Sequence, residues 1–188
     1  MSNTKSRLLI AVAAIAITAG GVGVVSAQAN PMVGGAPMMS SKNIVQNAMN
    51  SKDHTTLVAA VKAAGLVGTL EGPGPFTVFA PTNEAFDKLP PGTVQTLVAP
   101  QNKAMLTKIL TYHVVPGRLT AADLKRMIAA GGGKATLTTV EGEPLTVREG
   151  GMGHLVLTDA KGGMSTITIA NVMQSNGVIH VVNSVLMP

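Results

Sequence analysis

Phe76-Thr77-Val78-Phe79-Ala80-Pro81-Thr82-Asn83-Glu84-Ala85-Phe86 holds three of the chain's four aromatic side chains, and Tyr112, the fourth, follows 26 positions after the last of them. Successive side chains on a strand point to opposite faces, so Phe76 and Val78 fall on one side and Thr77 and Phe79 on the other. Pro81 has no N–H to donate and ends the ladder. Thr82 or Asn83 can then accept from the free N–H groups of a new helical turn, which returns Phe86 to the same neighbourhood. The stretch predicts a strand, a sharp break and a capped helix around one aromatic cluster.

Upstream, the chain begins as exported proteins do. Lys5 and Arg7 precede an apolar run from Leu8 to Val25, and Ala27-Gln28-Ala29 offers the small residues that a signal peptidase accepts. The expectation is a signal peptide over residues 1–29 with cleavage after Ala29. Cleavage after Ala27 and retention of the run as an anchor are the alternatives. Either way the remainder acts outside the inner membrane, secreted, extracellular or periplasmic, and once the leader is removed it inserts in no membrane. Taking Lys5 and Arg7 from fourteen basic residues, against nine acidic ones, leaves +3. The mild excess lacks the basic clusters and stacking aromatics of nucleic-acid binders, so nucleic acid is excluded as a partner. There is no cysteine, and stability must come from burial.

Asn-Pro, Gly-Gly and Ala-Pro breaks make residues 30–42 a flexible lead-in. Helical spacing follows. Ile44, Val45, Ala48 and Met49 share one face; Leu57, Val58, Val61 and Ala64 share another, with Asp53 as the cap and Gly65 as the stop. Val94, Leu97 and Val98 suit a short helix, and Met105, Leu106, Ile109 and Leu110 turn inward on the next. Tyr112-His113-Val114-Val115 runs extended into Pro116-Gly117. Thr120 and Asp123 form a capping box for a helix carrying Leu124, Met127 and Ile128. Strands are expected over residues 134–140, 144–148, 154–158, 164–170 and 178–182, with Asn176-Gly177 as a tight turn. Val178 to Val182 is apolar on both faces and belongs at the centre of a sheet. Helices in the first half and strands in the second, Phe76 to Ala80 excepted, predict one α+β domain over residues 43–188.

Three segments resemble the fasciclin domain family. They are the run from Thr77 to Phe86; Leu110-Thr111-Tyr112-His113-Val114-Val115-Pro116-Gly117; and Gly177-Val178-Ile179-His180-Val181-Val182-Asn183-Ser184-Val185-Leu186-Met187-Pro188. The resemblance implies a wedge-shaped β-sandwich with flanking helices. It implies an adhesion protein mediating cell–cell or cell–matrix contact, whose partner is a cell-surface or matrix component, protein or polysaccharide. Because a lone small domain adheres weakly, weak self-association or attachment to an envelope component is expected besides. It carries Tyr112 and His113 over as contact residues. Phe76, Phe79, Pro81, Thr82, Asn83, Phe86 and His180 are its structural signature.

Chemistry finds little purchase. There is no HxH or HxxxH pair for a metal, no Gly-x-Ser-x-Gly elbow and no thiol nucleophile, so the expectation is a non-enzyme without cofactor or metal. His54 is expected at the surface. Glu141 and Glu143 read as solvated turn charges. An alternative function, suggested by carotenoid-carrying fasciclin-like proteins, is carriage of an apolar ligand in a groove lined by Met38, Met39 and Met49.

Overall fold

The computed structural model describes residues 30–188; the expected leader and its cleavage position lie outside the described residues. The segment expected to be a flexible lead-in is folded. Strands β1 (Met32–Val33) and β2 (Ala36–Pro37) form a small antiparallel hairpin that places Val33 and Met38 in the core. Gly34 at its tip has φ +60, and a Cβ there would meet Ser51 Oγ at 2.4 Å, so only glycine fits this approach.

Helix α1 (Ile44–Asn50) starts on a capping box between Asn43 and Gln46. It buries Ile44, Val45 and Asn47, whereas Met49, expected inward, is exposed. Seven residues make only two turns, and the Asn47 amide takes the inward place by bonding the Met39 backbone and Gln174. Helix α2 (Thr55–Ala64) buries Leu57, Ala60, Val61 and Ala64 and ends at Gly65 in the left-handed region. Asp53 makes no capping bond; the cap arrives from elsewhere, as described below. Helix α3 (Val67–Glu71) was not expected.

Strand β3 (Phe76–Pro81) is followed by α4 (Asn83–Asp87), whose N-cap Thr82 accepts from Ala85 N at 3.2 Å. Helices α5 (Thr93–Val98) and α6 (Lys103–Tyr112) come next. Leu106, Ile109 and Leu110 of α6 are buried and Met105 is exposed, against expectation. Tyr112 closes α6 and His113 is its C-cap, so the extended run starts only with β4 (Val114–Pro116). Helix α7 (Ala121–Ala130) has the expected capping box and buries Leu124 and Ile128.

Strands β5 (Lys134–Thr138), β6 (Pro144–Glu149), β7 (Leu155–Thr158), β8 (Met164–Gln174) and β9 (Gly177–Val182) follow by hairpins. The turn between β8 and β9 is Ser175-Asn176, one residue earlier than expected, because Gly177 already pairs with Gln174. The sheet order is β4-β3-β9-β8-β7-β6-β5. Strand β9 is central, as its apolar faces predicted, and runs parallel to β3 from Phe76↔Gly177 to Pro81↔Val182. The eleven residues of β8 serve both halves: Met164 to Thr166 pair with β7 and Ile167 to Gln174 with β9, and two register shifts, between Ile167 and Ile169 and between Ile169 and Val172, interrupt the part paired with β9. Val140, just past β5, donates to Val114 O of β4 at 2.7 Å, so the seven-stranded sheet nearly closes. The fold is α+β.

Alternation along β3 splits the interior. Val78 and Ala80 join Phe86 and the helices α1, α2 and α6 in one core, with Phe76 packed against its rim. Phe79 faces the other way, into a core with Tyr112, Leu124, Leu145, Val147 and Leu157. The single aromatic cluster expected from the sequence is therefore two. A strand with both faces buried sends its odd and even rings apart.

Candidate functional site

The signature residues converge where β3, the end of α6 and the C-terminal segment meet. Tyr112 and His113, expected as contact residues, are both buried, at 0% and 3% exposure. The Tyr112 hydroxyl donates to Pro144 O at 2.8 Å and accepts from Ala160 N at 3.0 Å, tying α6 to the β5–β6 and β7–β8 turns. Burial holds its pKa above the ordinary phenol value, and the Ala160 N–H works against that rise.

His113 sits between two backbones. Its Nδ1 meets Ile109 O at 2.8 Å, and its Nε2 accepts from Leu186 N at 3.0 Å. The pairing defines a neutral ring with its proton on Nδ1. Burial pushes its pKa down to about 4; the Ile109 carbonyl and the Asp159 charge counter only part of that. The ring thus pins the C-terminal segment, where Leu186 is fully buried, to the end of α6. Asp159 helps from the other side by accepting from Met187 N at 2.9 Å.

His180, fully buried on β9, stacks on Phe79 with ring centroids 5.7 Å apart. Its Nε2 meets Leu119 O at 2.8 Å and its Nδ1 accepts from Asn171 N at 3.3 Å. Burial lowers its pKa as well. Thr77, on the same side of β3 as Phe79, donates to Gly117 O and accepts from Leu119 N.

Asn83 does more than open a helix. Its Oδ1 accepts from Thr56 N at 3.0 Å and from the Thr55 hydroxyl, and its Nδ2 donates to Lys52 O at 2.9 Å. It caps α2, the helix for which Asp53 was expected. Asn176 is a second such device that sequence reasoning missed. Its side chain accepts from Ile44 N and donates to Leu70 O and Gly72 O, joining α1, α3 and the β8–β9 turn. The Asn-Gly dipeptide signalled a turn but not an amide turned inward.

His54, expected at the surface, is buried. Its Nδ1 bonds the Ser51 hydroxyl at 2.8 Å, while Nε2, directed at the Ala80 backbone, has no partner in hydrogen-bond geometry among the described residues. Burial lowers its pKa. Glu143 and Glu141 pair with Lys108 at 2.8 and 3.6 Å instead of standing free. Among the described residues no group of three His, Cys, Asp or Glu side chains could hold a metal ion, and no helix is long and apolar enough to cross a membrane.

Of the methionines considered for an apolar groove, Met38 is buried, whereas Met39 and Met49 are exposed. The apolar space between α1, α2 and α3, lined by Ile44, Val45, Leu57, Val61 and Leu70, encloses about 30 Å³. That is the scale of one water molecule.

The fasciclin domain profile matches residues 52–188. This chain belongs to the fasciclin domain family. Protein sll1483 of Synechocystis sp. is 46% identical over 151 residues, covering 79% of this chain and 75% of that protein. Immunogenic protein MPB70 of Mycobacterium bovis is 36% identical over 155 residues, covering 80% of this chain and 71% of its relative. A solved fasciclin domain pair from the insect cell adhesion molecule fasciclin I superposes with a TM-score of 0.70 at 19% identity. It covers 78% of this chain, and this chain spans 51% of the pair. The fasciclin profile begins at Lys52, so β1, β2 and α1 of this chain lie ahead of it.

Proposed function

We propose that this fasciclin domain is an exported, non-catalytic adhesion module that mediates contact with a cell-surface or matrix component. The observation that carries the reading is how the signature side chains are used. Tyr112, His113 and His180 direct their polar atoms to the protein's own backbone. Groups so engaged make a rigid body, not a reactive cleft; a nucleophile or general base needs access to its substrate. The adhesion molecule whose domain pair shares the fold supports the same direction, and the apolar run before Ala27-Gln28-Ala29 supports export. Tyr112 and His113 then serve contact indirectly, by fixing the surface around them.

One small domain adheres weakly, and several copies on one surface multiply retention. The test is retention of native cell-envelope fragments on beads coated with the full chain, as monomer and as crosslinked dimer. Retention that rises with the dimer and is competed by soluble protein supports the module. Beads that retain no more than bare ones refute it.

A further inference from the structure

The outward face of β5, β6, β7 and β8 is a hydroxyl grid with a cationic end. Strand pairing aligns Thr136, Thr146, Thr158 and Met164 in one row, and Lys134, Arg148, Val156 and Thr166 in the next. The alternate residues of these strands, Ala135, Leu137, Leu145, Val147, Leu155 and Leu157, are buried together with Leu124 and Ile128 of α7, so α7 covers the opposite side. The grid residues are exposed or half-buried. Elsewhere many threonine hydroxyls are engaged, as at Thr77, Thr111, Thr120 and Thr139, and those that are not, such as Thr56, Thr69, Thr93 and Thr107, are scattered over the helical half. The hydroxyls of Thr136, Thr138, Thr146, Thr158 and Thr166 meet no hydrogen-bond partner among the described residues.

Charge points the same way. Lys134 and Arg148 stand directly opposite each other across β5 and β6, a like-charge pairing that weakens a sheet. Neither meets a carboxylate within salt-bridge distance among the described residues; Arg148 touches only the Met164 sulfur, at 3.3 Å. The carboxylates bordering the face are turned away. Glu149 pairs with Lys125, Glu141 and Glu143 with Lys108, and Asp159 is buried on the amides of Lys161, Gly163 and Met187.

We infer that this face binds an extended anionic polysaccharide. Side chains on one face recur about every 7 Å along a strand and about 4.8 Å between strands, a spacing on the scale of successive sugar rings. A hydroxylated chain can exchange hydrogen bonds with the threonines, directly or through water, while its carboxylates relieve the Lys134–Arg148 repulsion. An acidic protein partner would call for a desolvated aromatic or apolar centre, and the grid offers only Val156 and Met164. The inference rests on the reading of the domain as a contact module and names its partner class.

The test uses the full chain and polygalacturonate immobilised on beads, with fully methyl-esterified polygalacturonate and double-stranded DNA as comparisons. The parent should bind polygalacturonate at low salt and lose it as salt rises. Lys134→Glu with Arg148→Glu should weaken binding about tenfold or more, equivalent to about 1.4 kcal/mol, with an unchanged melting temperature. Thr146→Ala with Thr158→Ala should weaken it less. Lys62→Glu with Lys103→Glu, a charge change on α2 and at the start of α6, should leave it unchanged. Equal binding by the Lys134/Arg148 variant, an equal loss in the Lys62/Lys103 variant, or equal capture of the methyl ester or DNA would overturn the proposal. If the Lys134/Arg148 variant still holds envelope fragments as the parent does, the face is wrong and the adhesion module stands. If the parent holds none, the module itself fails.

Discussion

The two cores on either side of β3 are packed differently. On the sheet side, Phe79, Tyr112, Leu124, Leu145, Val147, Leu157, Val182 and Leu186 have no exposure at all. On the helix side apolar cavities remain among the described residues. Two enclose about 30 Å³ each, between α1, α2 and α3 and between Leu66, Phe76, Leu110 and Val140; a third, beside His54, encloses about 10 Å³. The origin of the contrast is local. Hairpins place β5 to β8 side by side, and their alternating aliphatic residues interlock through a continuous hydrogen-bonded ladder. The helix side joins the short helices α1 to α6, each carrying few apolar residues, and polar pins such as Asn47, Asn83 and Asn176 complete what packing leaves open. A function that relies on presenting a fixed surface is better served by the first kind of core, and the hydroxyl grid lies on the back of it.

The largest expected effect tests that contrast. Phe79→Ala removes a fully buried ring and its stack on His180. Such truncations cost about 3–5 kcal/mol depending on how far the site collapses. A laddered sheet cannot close around the void, so Phe79→Ala should lie near the upper end, enough to threaten a domain of ordinary stability. Phe86→Ala, on the helix side, should lie near the lower end, because α4 is short and can shift. Urea midpoints of the two variants decide it; a larger loss for Phe86→Ala would invert the comparison.

Acid should come next. The folded-state pKa of His113 lies near 4, below its ordinary value of 6.5, and His54 and His180 are shifted the same way. A neutral buried imidazole favours the folded state fully above the unfolded pKa. As pH falls below that value the unfolded chain takes up protons first, and stability declines until the folded pKa is passed. For His113 alone the window from about 6.5 to about 4 corresponds to about 3 kcal/mol. Protonation would also set an Nε2–H against the Leu186 N–H and loosen the C-terminal segment. Urea midpoints should therefore fall steadily from pH 7 to pH 4.5, and His113→Gln should flatten the slope. A midpoint that stays level across that range would show that these rings take their protons without unfolding the chain.

The sheet was legible because its signals are local: glycine breaks, alternation and an apolar last strand each lie within a few residues. The motif order around Phe79, Tyr112 and His180 was legible too. Which side of it faces water was not. Alternation identifies two faces but cannot say that both are covered; the residues themselves favour His113 as a brace from the helix end to a neighbouring strand, and only the family resemblance points to Tyr112 and His113 as contacts. Met49 and Met105 fit the helical period and still face solvent, since helices this short bury a narrow stripe. Strands of two residues, as in β1 and β2, leave no period to find, and α3 carries too few apolar residues around Gly68 to show one. The hydroxyl grid escaped because it belongs to no single segment. It exists only once four hairpin-connected strands fall into register.

Asn83 gives the smallest and most specific test, because one amide ties α2, on the helix side, to the segment that follows β3. It opens α4, directly after β3, while its Oδ1 caps α2 at Thr56 N. Loss of a helix cap costs about 1 kcal/mol, with a range of about 0.5–2. Asn83→Ala removes the acceptor and also leaves Lys52 O without its 2.9 Å donor, so it should fall in the upper half of that range. Asn83→Asp keeps an acceptor at the positive end of α2 but turns a second oxygen on Lys52 O, so it should recover part of the loss and no more. Asp53→Ala, at the position where the sequence pointed to a cap, should change the urea midpoint little. If Asp53→Ala costs as much as Asn83→Ala, α2 is capped locally after all, and the helix side is held to β3 by packing alone.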